Sequence, residues 1–172
     1  MSTTIKRVAL VAVAALGLGV LAVAPSQAAH LGDTLTLTPV TSSIKTGETA
    51  TATVNSSFTG VNAGDSVTVT ALVALKPTGG SANLQFKVVD SYTSTVSTAS
   101  TLAATSSIST GVTADAVAAN TNYKINLVQP TVAGSYVVQV YATTGSGGGT
   151  IHSTVLSWTV TVADVDLKAD AT

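Results

Sequence analysis

Ser135 to Thr143 reads SYVVQVYAT, and Thr154 to Val162 reads TVLSWTVTV. Apolar and polar residues alternate through both stretches, the period of a strand buried on one face and wet on the other. Between them lies GSGGG, Gly145 to Gly149. The two runs therefore predict a β-hairpin whose glycine-rich loop is longer than the tightest two-residue type. Upstream the alternation recurs. TLTLT from Thr34 sets Leu35 and Leu37 against three threonines, until Pro39 ends the run or marks an edge. After the KTGE turn at Gly47, TATATV from Thr49 alternates again. Ser66 to Leu75, SVTVTALVAL, is the longest predicted strand, with Val67, Val69, Ala71, Val73 and Leu75 on one face and Asp65 supplying turn chemistry before it. Leu84, Phe86 and Val88 mark a further strand, and Tyr123, Ile125 and Leu127 another.

Beyond residue 30 no stretch has helical periodicity, so the fold class is all-β. Seven or eight strands in one domain pack most economically as two antiparallel sheets, since a single open sheet would leave its apolar face wet. A closed barrel is the competing solution to the same problem; the sandwich is preferred.

The first 28 residues stand apart. Lys6 and Arg7 precede an uncharged apolar run, Val8 to Val23, followed by Pro25 and by Ser26 and Ala28 at the −3 and −1 positions of a cleavage site. These are the parts of a secretory signal peptide, and cleavage after Ala28 is expected. The run is 16 residues long and carries Gly17 and Gly19, which fits a retained membrane anchor less well. On this reading the protein is secreted, meets a membrane only through the leader before cleavage, and works outside the cell or at its surface as one domain, residues 29 to 172. No stretch at the carboxyl end, DVDLKADAT, resembles a sorting signal, so surface attachment is expected to be non-covalent or through a partner.

Composition excludes several classes. The chain of 172 residues is 45% hydrophobic and 9% charged and has no cysteine, unlike a disordered segment or a disulfide-stapled mini-domain. Residues 29 to 172 hold five lysines, no arginine, seven aspartates and one glutamate. A net negative chain without arginine lacks the residue that grips phosphate bidentately, which argues against nucleic acid as a partner.

Pro130 to Thr143, PTVAGSYVVQVYAT, with the glycine loop and SWTVTV, Ser157 to Val162, resembles the closing hairpin of bacterial immunoglobulin-like surface domains, and LTLTPVTSSIKTGETATATV resembles their first two strands. The resemblance implies an immunoglobulin-like antiparallel β-sandwich. It also implies that Tyr136 sits near the start of the penultimate strand, its ring in the core and its hydroxyl bonded to nearby backbone. The antibody pattern of Cys, Trp and Cys is missing, and Trp158 falls on the last strand rather than the third. Asp164, Asp166 and Asp170 cluster, as a solvated acidic tail or a divalent-ion site. From Ser91 to Ser109 twelve of nineteen residues are Ser or Thr, the composition of an exposed strand pair, a loop or a glycosylated stretch. Asn55, Ser56 and Ser57 match the Asn-x-Ser acceptor pattern.

Chemistry finds few candidates. Histidines remain only at His30 and His152, Glu48 is the sole glutamate, and no Gly-x-Ser-x-Gly elbow is present. No catalytic residue, metal ligand or cofactor is expected. Candidate contact residues are Gly147 and Gly148 in the loop, His152 beside it and Tyr141, which has the outward parity on its strand. The plain alternative is a flexible hairpin tip. An intramolecular isopeptide bond would need Lys45, Lys87 or Lys124 buried with Asn55, Asn126 or Glu48. The sequence predicts an exported structural or adhesive module whose partners are further copies of itself, cell-surface proteins or polysaccharide. The alternative is a carbohydrate- or ice-binding module built on paired threonines: Thr34/Thr36/Thr38, Thr49/Thr51/Thr53, Thr68/Thr70 and Thr159/Thr161.

Overall fold

The computed structural model describes residues 31–91, 96–97, 103–145 and 155–165. They form ten strands: β1 (Leu31–Thr38), β2 (Thr41–Lys45), β3 (Thr49–Gly60), β4 (Ser66–Leu75), β5 (Asn83–Ser91), β6 (Val96–Ser97), β7 (Thr105–Gly111), β8 (Val117–Val128), β9 (Gly134–Thr144) and β10 (Leu156–Ala163). Two sheets result, a four-stranded one in the order β1-β3-β8-β5 and a six-stranded one in the order β2-β10-β9-β4-β7-β6. This is an immunoglobulin-like β-sandwich. β1-β3-β8-β5 and β10-β9-β4 reproduce the two sheets of a constant-type domain, with β2 added at one edge and β7 and β6 at the other.

The inward residues are those the alternation selects. Ala50, Ala52, Val54 and Phe58 of β3 and Tyr123, Ile125 and Leu127 of β8 face Val67, Val69 and Ala71 of β4, Val138 and Val140 of β9, and Trp158 and Val160 of β10 across one core. Leu84 and Phe86 close it on the β5 side, where the Phe86 ring meets Tyr123 edge-to-face at a centroid distance of 6.0 Å. Trp158 is wholly buried and donates its indole N–H to Ser42 Oγ at 3.0 Å, so the polar end of its ring is satisfied by β2.

The chain changes sheets at Pro39, which follows a cis peptide bond after Thr38. β1 lies on β3, whereas β2 lies on β10. That second pairing runs parallel, with Thr41 opposite Thr159 and Lys45 opposite Ala163, in a sandwich expected to be antiparallel; the other described pairings are antiparallel. A strand that switches sheets at a corner keeps its direction, so it meets β10 with the same sense.

The structure departs from the sequence expectation in three further places. Ten strands replace seven or eight, because TSSIK and TSSISTG, β2 and β7, are short and hydroxyl-rich and carry little apolar contrast. β7 nevertheless directs Ser106, Ile108 and Thr110 inward, so part of the Ser/Thr-rich middle is an ordered strand, paired briefly with β6. Leu75, expected in the core, is 56% exposed, because a bulge between Val73 and Leu75 re-aims the end of β4.

Tyr136 behaves as the resemblance implies. Near the start of β9 it is fully buried and donates its hydroxyl to the Val132 carbonyl at 2.9 Å. The corner around it is tightly built. A side chain at Gly80 would sit 2.7 Å from the Tyr136 hydroxyl, and one at Gly134, whose φ is +138°, would sit 2.6 Å from Pro77 Cγ. Thr131 N donates to Ser81 O at 3.1 Å, stitching the β4–β5 loop to the β8–β9 loop. Tyr136→Phe removes the corner bond while keeping the ring. It is expected to lower unfolding free energy by about 0.5–1.5 kcal/mol, the net worth of a hydrogen bond to a half-buried partner. Urea unfolding checks this: the midpoint falls at unchanged slope, and an unshifted midpoint refutes the role given to the hydroxyl.

Candidate functional site

The sandwich presents two broad outer faces, and register decides their composition. On the four-stranded sheet β3 and β8 pair across twelve positions, placing Thr51 opposite Asn126, Thr53 opposite Lys124 and Asn55 opposite Asn122. The side chains bond across the strands. Thr51 Oγ1 donates to Asn126 Oδ1 at 2.9 Å, and Asn55 Nδ2 donates to the Oδ1 atoms of Asn120 at 2.6 Å and Asn122 at 2.9 Å. Next along the sheet Lys87 of β5 lies directly opposite Lys124, both exposed. This face is an amide and hydroxyl ladder with two like charges in register.

The outer face of the six-stranded sheet differs. Tyr141 opposes Thr70, which opposes Ser107; Thr143 opposes Thr68, which opposes Ser109. The hydroxyls of Thr68 and Ser109 are hydrogen-bonded to each other, and Thr143 Oγ1 donates to Thr68 O at 3.5 Å. The outward positions of β10, β9, β4 and β7 carry, among the described residues, no charged side chain. Tyr141, expected on the outward side, is half-buried there. Gly147, Gly148 and His152 lie outside the described residues, as do Asp166 and Asp170.

The end from which that glycine loop leaves is tied down. Asp65, itself buried, accepts hydrogen bonds from the backbone N–H groups of Val61 and Asn62, both at 2.8 Å. Asp115 Oδ1 accepts from Ala63 N at 2.7 Å, Gly64 N donates to Val112 O at 3.0 Å, and Gly145 N donates to Ser66 O at 2.8 Å. Three connections are thereby joined at one end of the sandwich.

Several expectations resolve on this geometry. Thr34/Thr36/Thr38 and Thr49/Thr51/Thr53 belong to neighbouring strands of the four-stranded sheet, yet only Thr38 and Thr53 stand directly opposite. Thr68/Thr70 and Thr159/Thr161 lie on the other sheet with β9 between them, so the four threonine runs make no single plane. The isopeptide grouping is overturned. Lys45, Lys87 and Lys124 are exposed, Asn126 bonds to Thr51, and Glu48 Oε2 instead accepts the backbone N–H of Lys45 at 2.8 Å. Asn55 of the Asn-x-Ser match is mid-strand, with its amide engaged in the ladder. Asp164 is exposed, and no group of three metal-ligating side chains occurs among the described residues.

Hydroxyls also enter the core. Tyr123 on β8 is hydrogen-bonded to Thr110 on β7, which bonds in turn to Thr121 at 3.5 Å. Burial pushes the Tyr123 phenol above its ordinary value, and the bonds to Thr110 and Thr121 oppose part of that rise.

No family model matches this sequence, and no curated protein matches it. Among solved structures, the chain is similar to a family 123 glycoside hydrolase from Clostridium perfringens (TM-score 0.43, 11% identity), over 73% of this chain and 23% of that one. It thus aligns with about a quarter of that enzyme's length. It is also similar to a cohesin module of a family 33 glycoside hydrolase from Clostridium perfringens (0.38, 14% identity, 77% of this chain and 98% of the module). A non-cellulosomal cohesin from the archaeon Archaeoglobus fulgidus gives 0.36 and 10% identity over 75% and 91%. At such values the strand topology, and not these likenesses, carries the fold.

Two outcomes follow from the electrostatics. The phenol of Tyr123 is held neutral in the folded state, so its stability contribution is complete below the unfolded value near 10 and is lost as pH rises from there through the raised folded value. Urea unfolding between roughly pH 9 and 11 should weaken the wild type more steeply than Tyr123→Phe; parallel profiles would refute this. Lys87→Glu replaces a like-charge opposition by an attractive pair and should raise stability by roughly 0.2–1 kcal/mol. The gain should fade in high salt, and no gain at low salt removes the assignment.

Proposed function

We propose that this protein is an exported, non-enzymatic structural or adhesive module that works at the cell surface through contact with other macromolecules. The observation that carries the proposal is the outer face of the six-stranded sheet: wide, among the described residues without a charged side chain along β10, β9, β4 and β7 and with Lys45 of β2 at its rim, and lined by hydroxyl and apolar side chains that partly bond to one another. Small-molecule sites are concave and enclose their ligand. An extended sheet face instead suits a partner with an extended surface of its own. Export is supported by the basic, apolar and small-residue order of residues 1 to 28.

A second reading rests on the other sheet. The Thr51, Asn55, Asn120, Asn122 and Asn126 ladder offers aligned amide and hydroxyl groups of the kind that bond to sugar hydroxyls. Cell fractionation separates the two readings when combined with intact mass and polysaccharide pull-down. The structural reading expects a mature chain beginning at Ala29, retained on cells and released by denaturant, without polysaccharide capture. Protein held in the cytoplasm with its leader intact, or free in the medium, overturns it. Capture that is lost in Asn122→Ala favours the ladder.

A further inference from the structure

We infer that the outer face of the six-stranded sheet is a self-pairing surface, its occupant the same face of a second copy of this chain. The inference deepens the proposed surface role and rests on it.

Charge separates the two faces. The four-stranded face sets Lys87 beside Lys124, so pairing it with itself brings like charges together. The other face can be laid on its own copy with no ammonium or carboxylate to desolvate along β10, β9, β4 and β7, and burying unpaired charge is the largest penalty an interface can carry. Lys45 of β2 stands at the rim, where it can stay in water.

Its polar groups are also prepared for burial. Thr68, Ser109 and Thr143 form a row already bonded within the sheet, so covering them costs less than covering hydroxyls that rely on water. Around that row Leu72, Val137 and Tyr141 supply apolar surface that the fold leaves half-buried.

Shape and size agree. Two twisted sheets of the same hand stack face to face at about −30°, and a sheet meeting its own copy meets a matching twist. Four strands about 4.8 Å apart and roughly nine residues long span an area of about 20 by 30 Å, some 600 Å² in projection. Two such faces together bury about 1,200 Å², the lower end of the range for specific, stable interfaces. The resulting contact is isologous: with a two-fold axis lying between the two faces, a residue i of one copy meets j of the other and j meets i, and residues at the centre of the face lie near their own copies.

The test uses the processed chain in sedimentation across concentration, with substitutions at the centre of each face. Wild type should associate reversibly to a dimer. Thr70→Glu, which puts two carboxylates near the axis, should raise the dissociation constant at least about tenfold, whereas Thr53→Glu on the other sheet leaves it unchanged. Circular dichroism checks that both fold. The cysteine-free sequence allows a second, charge-neutral measurement, in which a bismaleimide should join Thr70→Cys into dimers and leave Thr53→Cys monomeric. Equal cross-linking of the two variants, sensitivity at Thr53 instead of Thr70, or a monomer at every concentration overturns the inference. A monomer that is still retained on cells sinks this surface alone. A dimer absent from the cell surface sinks the functional reading and leaves the pairing intact.

Discussion

The two sheets each have one face that must leave water, and among the described residues each covers the other. That mutual burial fixes register, since a slip of one residue along any strand would turn its valines outward and its threonines into the core. The pairing of β3 with β8 across twelve residues is the longest of these registers, and that of β4 with β9 joins the centre of the other sheet. The outer faces inherit their composition from it, because whatever alternates with a buried residue is placed in rows on the surface.

The large polar side chains inside the seam are held by bonds that span it or its corners, whereas the buried Ser106 hydroxyl has no such bond. Trp158 reaches Ser42 and Tyr136 reaches the Val132 backbone. Tyr123 and Thr110 join β8 to β7, one strand from each sheet. Burying a hydroxyl or indole N–H without a partner would cost about as much as a lost hydrogen bond, so these contacts favour one arrangement of the strands over others of similar apolar burial. The same reasoning explains the closed corner at Gly80, Gly134 and Pro77. There the Tyr136 hydroxyl needs an acceptor within reach, and the chain can supply it only where no Cβ intrudes.

The two outer faces differ for a physical reason. In the six-stranded sheet the outward positions hold mostly short side chains that bond across strands, and many are half-buried by their own neighbours. The four-stranded sheet holds longer amides, half-buried at Asn55, Asn122 and Asn126, and two exposed lysines.

Alternation alone determined that this chain is built of strands, which residues of β3, β4, β8, β9 and β10 turn inward, and that Tyr136 and Trp158 belong to the core, because a pleated strand exposes every second residue whatever its neighbours are. It left β2 and β7 unread, since serine and threonine suit a buried and a wet position almost equally, and it placed Leu75 inside because a bulge leaves no mark on the pattern. Parity gave the outward side of Tyr141, whereas the Asn55, Asn120, Asn122 and Asn126 ladder and the Lys87–Lys124 opposition had no local signal. Pairing alone brings residues so far apart in the chain side by side. Strand order and register are set by the packing of the whole core, and only the tertiary structure decides them.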